Sequence, residues 1–267
     1  MFKLTNDNYF SKEADMQYLS VSQYKAFTTC EFAAYHKYVT GKNQPETSDA
    51  LLIGAYVDAY FSGEFKKWVE KHPEIFTNKG DLRAQFKHAD VMINHIQRDE
   101  LFMSTLQGEK QKIIIVDIDG IMWKCKPDFI DLENLRCFDL KTTKSFALEW
   151  DEYRKCKLPF YENYNYFLQF AVYKEALYQQ YDKAIFDMFI SAITKEPSPD
   201  IKILSFNNMQ CRDRMTQEFE IAKINQDTIL KIKEGDISED QLIRCEQCDY
   251  CKQTKKLKIF EDAEVHE

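Results

Sequence analysis

Two aspartates and a lysine stand close together on segments whose other residues have the apolar composition of buried strands. Asp128 and the run Asp139-Leu140-Lys141 are eleven residues apart in the stretch CKPDFIDLENLRCFDLKTTKS. Alternate residues of a strand share a face, so Asp139 and Lys141 should point the same way and Leu140 the other way. A hairpin between the two segments would bring Asp128 beside Asp139. The pattern therefore predicts two carboxylates and an ammonium group at one edge of a sheet.

The chemistry that this group could perform is metal-assisted hydrolysis. Two close carboxylates repel each other unless a cation neutralises them, and their hard oxygen atoms suit Mg²⁺ or Mn²⁺. A lysine can orient or deprotonate a water molecule, or stabilise a developing negative charge. Carboxylates, a divalent metal and a lysine together suit the hydrolysis of a phosphodiester. The alternative interpretation is a surface ion pair on an edge strand.

A third carboxylate, Asp58, lies within the apolar segment DALLIGAYVDAYFS. On a helical wheel its neighbours are Leu51, Gly54, Ala55 and Phe61. A carboxylate in an apolar stripe needs a partner or must be neutral. A metal shared with Asp128 and Asp139 would meet that need, and the alternatives are a salt bridge between helices or an exposed face.

An amide and a phenol, Gln169 and Tyr173, occur in the segment YFLQFAVYKEA. They are four residues apart, so a helix would place them on one face. There they could donate to phosphate oxygens or hold the lysine, or they could be ordinary residues of a half-buried helix.

Three of the eight cysteines form the run RCEQCDYC, in which Cys245, Cys248 and Cys251 are spaced C-x2-C-x2-C. Three cysteines at this spacing are typical of a 4Fe-4S cluster that takes its fourth ligand from elsewhere. We expect that ligand to be Cys30; a Zn²⁺ site on four thiolates and a set of free thiols are the alternatives. We interpret the remaining cysteines as core or incidental residues: Cys125, Cys137, Cys156 and Cys211.

The elements that must position these residues begin with helices. The helices are predicted at residues 28–40, 49–62, 81–99, 160–180 and 208–234. Thr28 and Glu31 have the spacing of a capping box, and Gly41 stands where the first helix would end.

The strands lie between these helices. The stretch KIIIVDIDGIMWKCKPDFIDLENLRCFDLKTT predicts three consecutive strands, with turns near residues 119–120 and 133–134. Two more strands are predicted in AIFDMFISAI and IKILSF. This order predicts an α/β fold with one mixed central β-sheet flanked by helices.

We expect one domain over residues 1–267. Its parts are a helical N-terminal part (1–105), a catalytic sheet core (106–207), a C-terminal helix with the cysteine segment (208–258) and an acidic tail (259–267).

Composition limits the classes of protein that fit. The chain has 267 residues, a formal net charge of −8 and 44% hydrophobic residues, which suits a soluble globular protein. No apolar run is long enough to span a membrane, and the first residues lack the apolar core of a signal peptide. We therefore expect a cytoplasmic protein without a membrane partner, whose clustered cysteines bind metal instead of forming disulfides. The acidic balance argues against a chain coated in nucleic acid but allows one local binding groove.

Taken in order along the chain, these motifs resemble those of the PD-(D/E)XK nuclease superfamily. The motifs are G-x-x-x-D (Gly54 to Asp58), Pro127-Asp128, Asp139-Leu140-Lys141 and Gln169-x-x-x-Tyr173. The resemblance is to the RecB/RecE-like branch and covers roughly residues 20–255. It implies a restriction-endonuclease-like core.

The resemblance also implies roles for individual residues. Asp58, Asp128 and Asp139 would bind Mg²⁺ or Mn²⁺, with the carbonyl of Leu140 as a further ligand, and Lys141 would assist the attacking water. Gln169 and Tyr173 would support DNA phosphate or the lysine. RecB-like nucleases with an iron–sulfur cluster are similar in having one early and three late cysteines.

Three positions depart from the family pattern. RecB-like members usually have histidine where this chain has Asp58, which changes the charge of the site. Asp139 stands where glutamate is commoner. The late cysteines of the similar iron–sulfur nucleases are usually spaced C-x2-C-x5-C, whereas Cys245, Cys248 and Cys251 are evenly spaced.

The function expected from residues and resemblance together is a metal-dependent exonuclease that acts on DNA ends, in phage-type recombination or DNA repair. A single-strand annealing protein and a homo-oligomeric ring would be its partners. The alternatives are a single-strand nuclease similar to those of CRISPR adaptation, a catalytically silent DNA-binding module, and an iron–sulfur electron carrier.

Overall fold

A computed structural model describes residues 2–44, 47–151 and 154–257. Its helices are, in chain order, α1 (Lys12–Gln17), α2 (Val21–Thr29), α3 (Glu31–Tyr35), α4 (Asp49–Ser62), α5 (Phe65–Lys71), α6 (Ala84–Gln97), α7 (Glu100–Ser104), α8 (Phe160–Asn163), α9 (Tyr166–Gln180), α10 (Met209–Glu234) and α11 (Asp249–Gln253). A π-helical turn covers His36–Thr40, and 3₁₀ turns cover Pro73–Ile75 and Glu239–Gln241. None of these helices is long and apolar enough to cross a membrane.

The strands form one five-stranded sheet and two separate hairpins. They are β1 (Glu109–Lys110), β2 (Ile114–Ile118), β3 (Ile121–Cys125), β4 (Phe129–Asp131), β5 (Arg136–Thr143), β6 (Glu149–Asp151), β7 (Cys156–Leu158), β8 (Asp187–Thr194) and β9 (Ile201–Ser205). The order in the large sheet is β1-β4-β5-β8-β9. Only the central pair β5–β8 is parallel among these strands, and α9 lies in the crossover that a parallel pair requires.

The large sheet is covered on both faces. On one face Cys137 of β5 packs in a core formed with α2, α9, α10 and the β2–β3 hairpin. On the other face Phe138 and Leu140 pack against α4 and α6. The predicted mixed sheet with flanking helices is therefore confirmed. The alternation also places Asp139 and Lys141 on the face of Cys137, towards α2 and α9.

The stretch of residues 112–143 forms four strands, β2 to β5, so the prediction of three consecutive strands is wrong. β2 and β3 pair with each other and stand apart from the large sheet. Pro127 lacks a backbone donor and lies between β3 and β4, where the chain leaves the hairpin. Both predicted turns are present. Asp119 and Gly120 have φ angles of 52° and 89°, and the side chain of Asp131 accepts from the backbone of Asn134 at 3.0 Å.

The first predicted helix, residues 28–40, is interrupted at Cys30, and the predicted capping box is wrong. Helix α2 begins earlier, where the hydroxyl of Ser20 accepts from the backbone of Gln23. The hydroxyl of Thr28 donates to Tyr24 O at 3.0 Å within that helix, so it caps nothing. Cys30 is extended (φ −161°, ψ 103°), and its Sγ accepts from the backbone N–H of Ala33 at 3.4 Å. A sulfur atom therefore occupies the capping position of α3.

The other predicted helices are confirmed, one with the predicted ends and the rest with shifted ends. Residues 49–62 form α4, which ends at Gly63 in the left-handed region (φ 87°). Residues 160–180 are divided into α8 and α9 at Asn165, whose side chain caps α9 by accepting from the backbone N–H of Leu168. Residues 81–99 and 208–234 correspond to α6 and α10. The acidic tail, 259–267, lies outside the described residues.

Candidate active site

Strand β5 presents an ion pair to the interior of the molecule. The Asp139 side chain is buried, and its Oδ2 lies 2.5 Å from Lys141 Nζ. Burial alone would lower the pKa of Lys141, but the charges of Asp139 and Asp128 outweigh it and raise that pKa. The two aspartates therefore favour the ammonium form of the lysine.

Asp128 reaches the same point from the β3–β4 connection. Its Oδ2 accepts a hydrogen bond from the backbone N–H of Leu140 at 2.9 Å and lies 3.7 Å from Lys141 Nζ. Burial, reinforced by the charge of Asp139, raises the pKa of Asp128 well above its usual range. The hairpin between β4 and β5 thus brings Asp128 beside Asp139 and Lys141.

Asp58 enters from α4, which crosses β5 at close range. A Cβ at Gly54 would lie 2.9 Å from Thr142 Oγ1, so the glycine permits this approach. Gln111 joins Asp58 to Asp128, because its Nε2 lies 3.2 Å from Asp58 Oδ1 and 3.0 Å from Asp128 Oδ1. Burial raises the pKa of Asp58, although the charges of nearby lysines oppose that rise.

The helical wheel places Asp58 in an apolar stripe, and most of that stripe faces an open cleft. Leu51, Gly54 and Ala55 line an open cleft together with Asp58, and Leu51 is 66% exposed. The buried face of α4 contains Phe61 from that stripe and five residues outside it: Leu52, Ile53, Tyr56, Val57 and Ala59. The stripe around Asp58 is therefore a cleft wall, not a core face, apart from Phe61.

The three carboxylates fit a hard divalent cation. They converge from three elements, and one ammonium group is too little charge to neutralise them. Oδ1 of Asp139 is buried and has no hydrogen-bond partner among the described residues. Each carboxylate oxygen that accepts one hydrogen bond keeps a second lone pair for a ligand. Oxygen donors of this kind suit Mg²⁺ or Mn²⁺.

The remaining predicted residues, Gln169 and Tyr173, lie on α9 and line the same cleft. The Tyr173 hydroxyl donates to the backbone carbonyl of Lys126 at 3.4 Å. That contact fastens the segment that carries Asp128, whereas the sequence pattern had suggested a contact with phosphate or with the lysine.

Sequence reasoning missed three side chains of the site: Gln111, Lys25 and Tyr166. Lys25 Nζ donates to Tyr164 O at 2.6 Å and lies 5.4 Å from the ring centre of Tyr166. Lys141 Nζ lies 5.6 Å from the same ring. Burial, together with the charge of Lys141, lowers the pKa of Lys25 to about 8. Ser20 was the available signal in the sequence, because a helix that begins after this serine contains Lys25.

The cleft above these groups has a volume of about 980 Å³. Tyr164, 55% exposed, and Phe10, 76% exposed, stand in its wall. Its lysines are Lys25, Lys67, Lys71, Lys124, Lys126, Lys141 and Lys195. Lys67 and Lys71 pair with Asp7 and Lys124 pairs with Asp15, so the cleft combines ion pairs with further lysines.

A second site brings four cysteines together. The Sγ atoms of Cys30, Cys245, Cys248 and Cys251 all lie within 4.8 Å of one another. Besides the Ala33 N–H that donates to Cys30, backbone N–H groups donate to two further sulfurs, from Cys248 to Cys245 at 3.3 Å and from Cys251 to Cys248 at 3.4 Å. Burial would raise the pKa of Cys245, but backbone N–H groups outweigh it and lower that pKa to about 7. The group could hold a metal ion or cluster on four sulfur ligands.

The other four cysteines are free thiols away from this group. Cys125 and Cys137 are buried in the core, Cys211 is half-buried and Cys156 is exposed.

The metal-free protein should lose stability relative to an Asp58→Asn variant as the pH rises from about 4. Asp58 has a raised pKa, so the folded chain holds its proton at a pH where the unfolded chain releases it. The stability contributed by that proton is present below the unfolded pKa and is lost as the pH rises through the folded pKa. Thermal unfolding with a chelator at several pH values measures the difference. Equal pH slopes for the two proteins would contradict it.

Comparisons with known proteins agree with this geometry. A family model described as a PDDEXK-like domain of unknown function (DUF3799) matches residues 20–254. A crystal structure of a "putative exonuclease" from Eubacterium rectale matches with a TM-score of 0.88 and 35% sequence identity, over 98% of this chain and 97% of the other. No curated protein matches the chain. The chain therefore belongs to the PDDEXK-like family and is a PD-(D/E)XK nuclease.

Proposed function

We propose that this nuclease is a Mg²⁺- or Mn²⁺-dependent deoxyribonuclease that removes nucleotides from DNA ends. The observation that carries the proposal is the convergence of Asp58, Asp128 and Lys141 on the floor of a lysine-lined cleft, with the buried Asp139 paired to Lys141. The similarity to a protein described as a putative exonuclease supports the choice of ends over internal sites.

The three aspartates, with the carbonyl of Leu140, would hold the metal. When bound, the ion supplies Lewis-acid polarisation of the phosphate and an acidified water molecule. Lys141, held between Asp139 and Asp128, would face the negative charge that develops on the phosphate oxygens. Gln169 lines the cleft beside them and is available to the phosphate as a hydrogen-bond donor.

The lining of the cleft favours one strand of DNA at the site of cleavage. Tyr164 and Phe10 offer exposed aromatic faces on which unpaired bases can stack. These features also favour the second candidate, a nuclease specific for single strands.

On this proposal the enzyme would resect a duplex end and leave a single strand for an annealing protein, in phage-type recombination or repair. A homo-oligomeric ring would keep the enzyme on its substrate. Co-purification with an annealing protein and the mass of the particle in solution test these two parts separately.

We expect linear DNA to be degraded in Mg²⁺ while covalently closed circular DNA of the same sequence survives. An enzyme that works from ends has no starting point on the circle. Gel analysis of the two forms measures this, and Lys141→Ala protein is the control for contaminating nucleases. Loss of both forms would replace the proposal with an endonuclease, and loss of neither would favour the silent binding module. Linear single-stranded DNA in a parallel reaction separates the two candidate substrates.

For the four-cysteine group we propose a 4Fe-4S cluster, with Zn²⁺ as the alternative. The support is the close approach of the four sulfurs and the C-x2-C-x2-C spacing. Its place between α2, α3 and α11, away from the cleft lining, fits a structural role. That role argues against an electron carrier.

A further inference from the structure

Gln111 is fixed against the segment that carries Asp128. It follows β1 directly and adopts a left-handed backbone conformation (φ 51°). Its backbone N–H donates to the carbonyl of Asp128 at 2.9 Å. The turn therefore aims the Gln111 side chain along the Asp128 side chain and into the cleft, which Gln111 lines.

The amide of Gln111 bridges two carboxylates that come from different elements. Its Nε2 carries two hydrogens, and the nitrogen lies 3.2 Å from Asp58 Oδ1 and 3.0 Å from Asp128 Oδ1. Asp58 belongs to α4 on one side of the sheet edge, and Asp128 belongs to the β3–β4 connection. One neutral side chain thus sets the separation of two negative groups.

The amide of Gln111 is uncharged, and this affects how the site binds a cation. Lys141 contacts Asp139 and approaches Asp128, whereas no lysine forms an ion pair with Asp58 among the described residues. At the Asp58 end the carboxylates would repel each other and turn apart without a donor between them. An amide holds both in place and, unlike an ammonium group, adds no positive charge that would repel an incoming cation. Each bridged oxygen keeps a lone pair for that cation.

We propose that Gln111 is a positioning residue that holds Asp58 and Asp128 at the spacing required by a divalent cation and so sets the affinity of the site for that ion. The inference rests on the proposed function, because it takes the three aspartates to be the metal ligands. Partners that orient metal ligands typically contribute about 10- to 100-fold to metal affinity.

The test is Mn²⁺ binding to the full-length protein without DNA, followed by the EPR signal of the free ion. Gln111→Leu keeps the volume but removes the donor, and leucine tolerates the left-handed backbone no worse than glutamine does. We expect a loss of about tenfold or more in Mn²⁺ affinity. Cleavage by this variant should recover towards the wild-type kcat at saturating Mn²⁺. The matched control is Gln107→Leu, an exposed residue whose amide donates to Met103 O.

A second variant separates positioning from a structural role. In Gln111→Lys an ammonium group can still bridge the two carboxylates, so the metal-free protein should be at least as stable as wild type. Mn²⁺ affinity should nevertheless fall, because the new charge repels the ion. Wild-type Mn²⁺ affinity in both variants would overturn the inference, even if their thermal stability changed. If Asp139→Ala also binds Mn²⁺ like wild type, the metal site of the proposed function fails as well.

Discussion

A Lys141→Ala variant that folds normally should lose DNA cleavage by about two to three orders of magnitude or more. Lys141 is the ammonium group in direct contact with the buried Asp139, and its charge is positioned towards the cleft. Its removal deprives the developing charge on the phosphate of a fixed cation, and it leaves Asp139 without its ion-pair partner. Single-turnover cleavage of an end-labelled duplex measures the loss, because it separates chemistry from product release.

The companion variant, Asp139→Ala, should be equally inactive, because it removes a proposed metal ligand. Circular dichroism and thermal unfolding must show that both proteins fold. Lys231→Ala, which changes an exposed lysine of α10, is the control for a general loss of positive charge. Cleavage near the wild-type rate by folded Lys141→Ala protein would refute the assignment of this site.

A Cys30→Ala variant should lose the metal or cluster of the cysteine group and a large part of its thermal stability. The four sulfurs tie the α2–α3 junction to the segment around α11, which contacts the rest of the chain through few other described elements. A structural metal site contributes on the order of 10 kcal/mol in small zinc domains. For a domain of this size each kcal/mol corresponds to about 2–4 °C in Tm, so we expect a fall of about 10 °C or more.

Metal analysis of anaerobically purified protein decides what the group holds. A 4Fe-4S cluster predicts brown protein with about four irons per chain, and Cys30→Ala should be bleached. Stoichiometric zinc without iron would replace the cluster with a Cys₄ zinc site. Four thiols open to alkylation in the native protein, with neither metal, would refute both. Cys156→Ala, an exposed thiol elsewhere, should change nothing. Residual cleavage should survive at low temperature in Cys30→Ala, because Asp128, Asp139 and Lys141 remain.

The parts of the site that could be predicted from sequence are those set by the two-residue period of a strand or by a short hairpin. The two-residue period of a strand places Asp139 and Lys141 on one face, and a short hairpin returns Asp128 to them. The order of helices and strands likewise predicts a mixed sheet with flanking helices. In these cases local geometry decides the outcome, because neighbours in sequence are neighbours in space.

The parts that could not be predicted depend on contacts between distant segments. The position of Gln111 depends on a left-handed turn and on two carboxylates, the further of which is 53 residues away. The first helix was predicted to begin at Thr28, because Thr28 and Glu31 have capping-box spacing, and Lys25 was therefore left outside it. The helix that contains Lys25 begins earlier and is capped by Ser20. Leu51 belongs to an apolar stripe of the helical wheel but faces the cleft. Gly54 lies on the same side of α4 and allows that side to approach β5.

The interruption of the first helix at Cys30 has a consequence for how the protein is made. Cys30 leaves the ribosome 221 residues before Cys251, its close neighbour in the folded chain. Domains are synthesised from the N-terminus at about 5–20 residues per second, so the thiol waits roughly ten seconds or longer for its partners. The strand that carries Asp139 and Lys141 is complete well before then. Any metal or cluster that the cysteine group binds would therefore be inserted late, and we expect a chain truncated before Cys245 to be more sensitive to protease than the full-length chain.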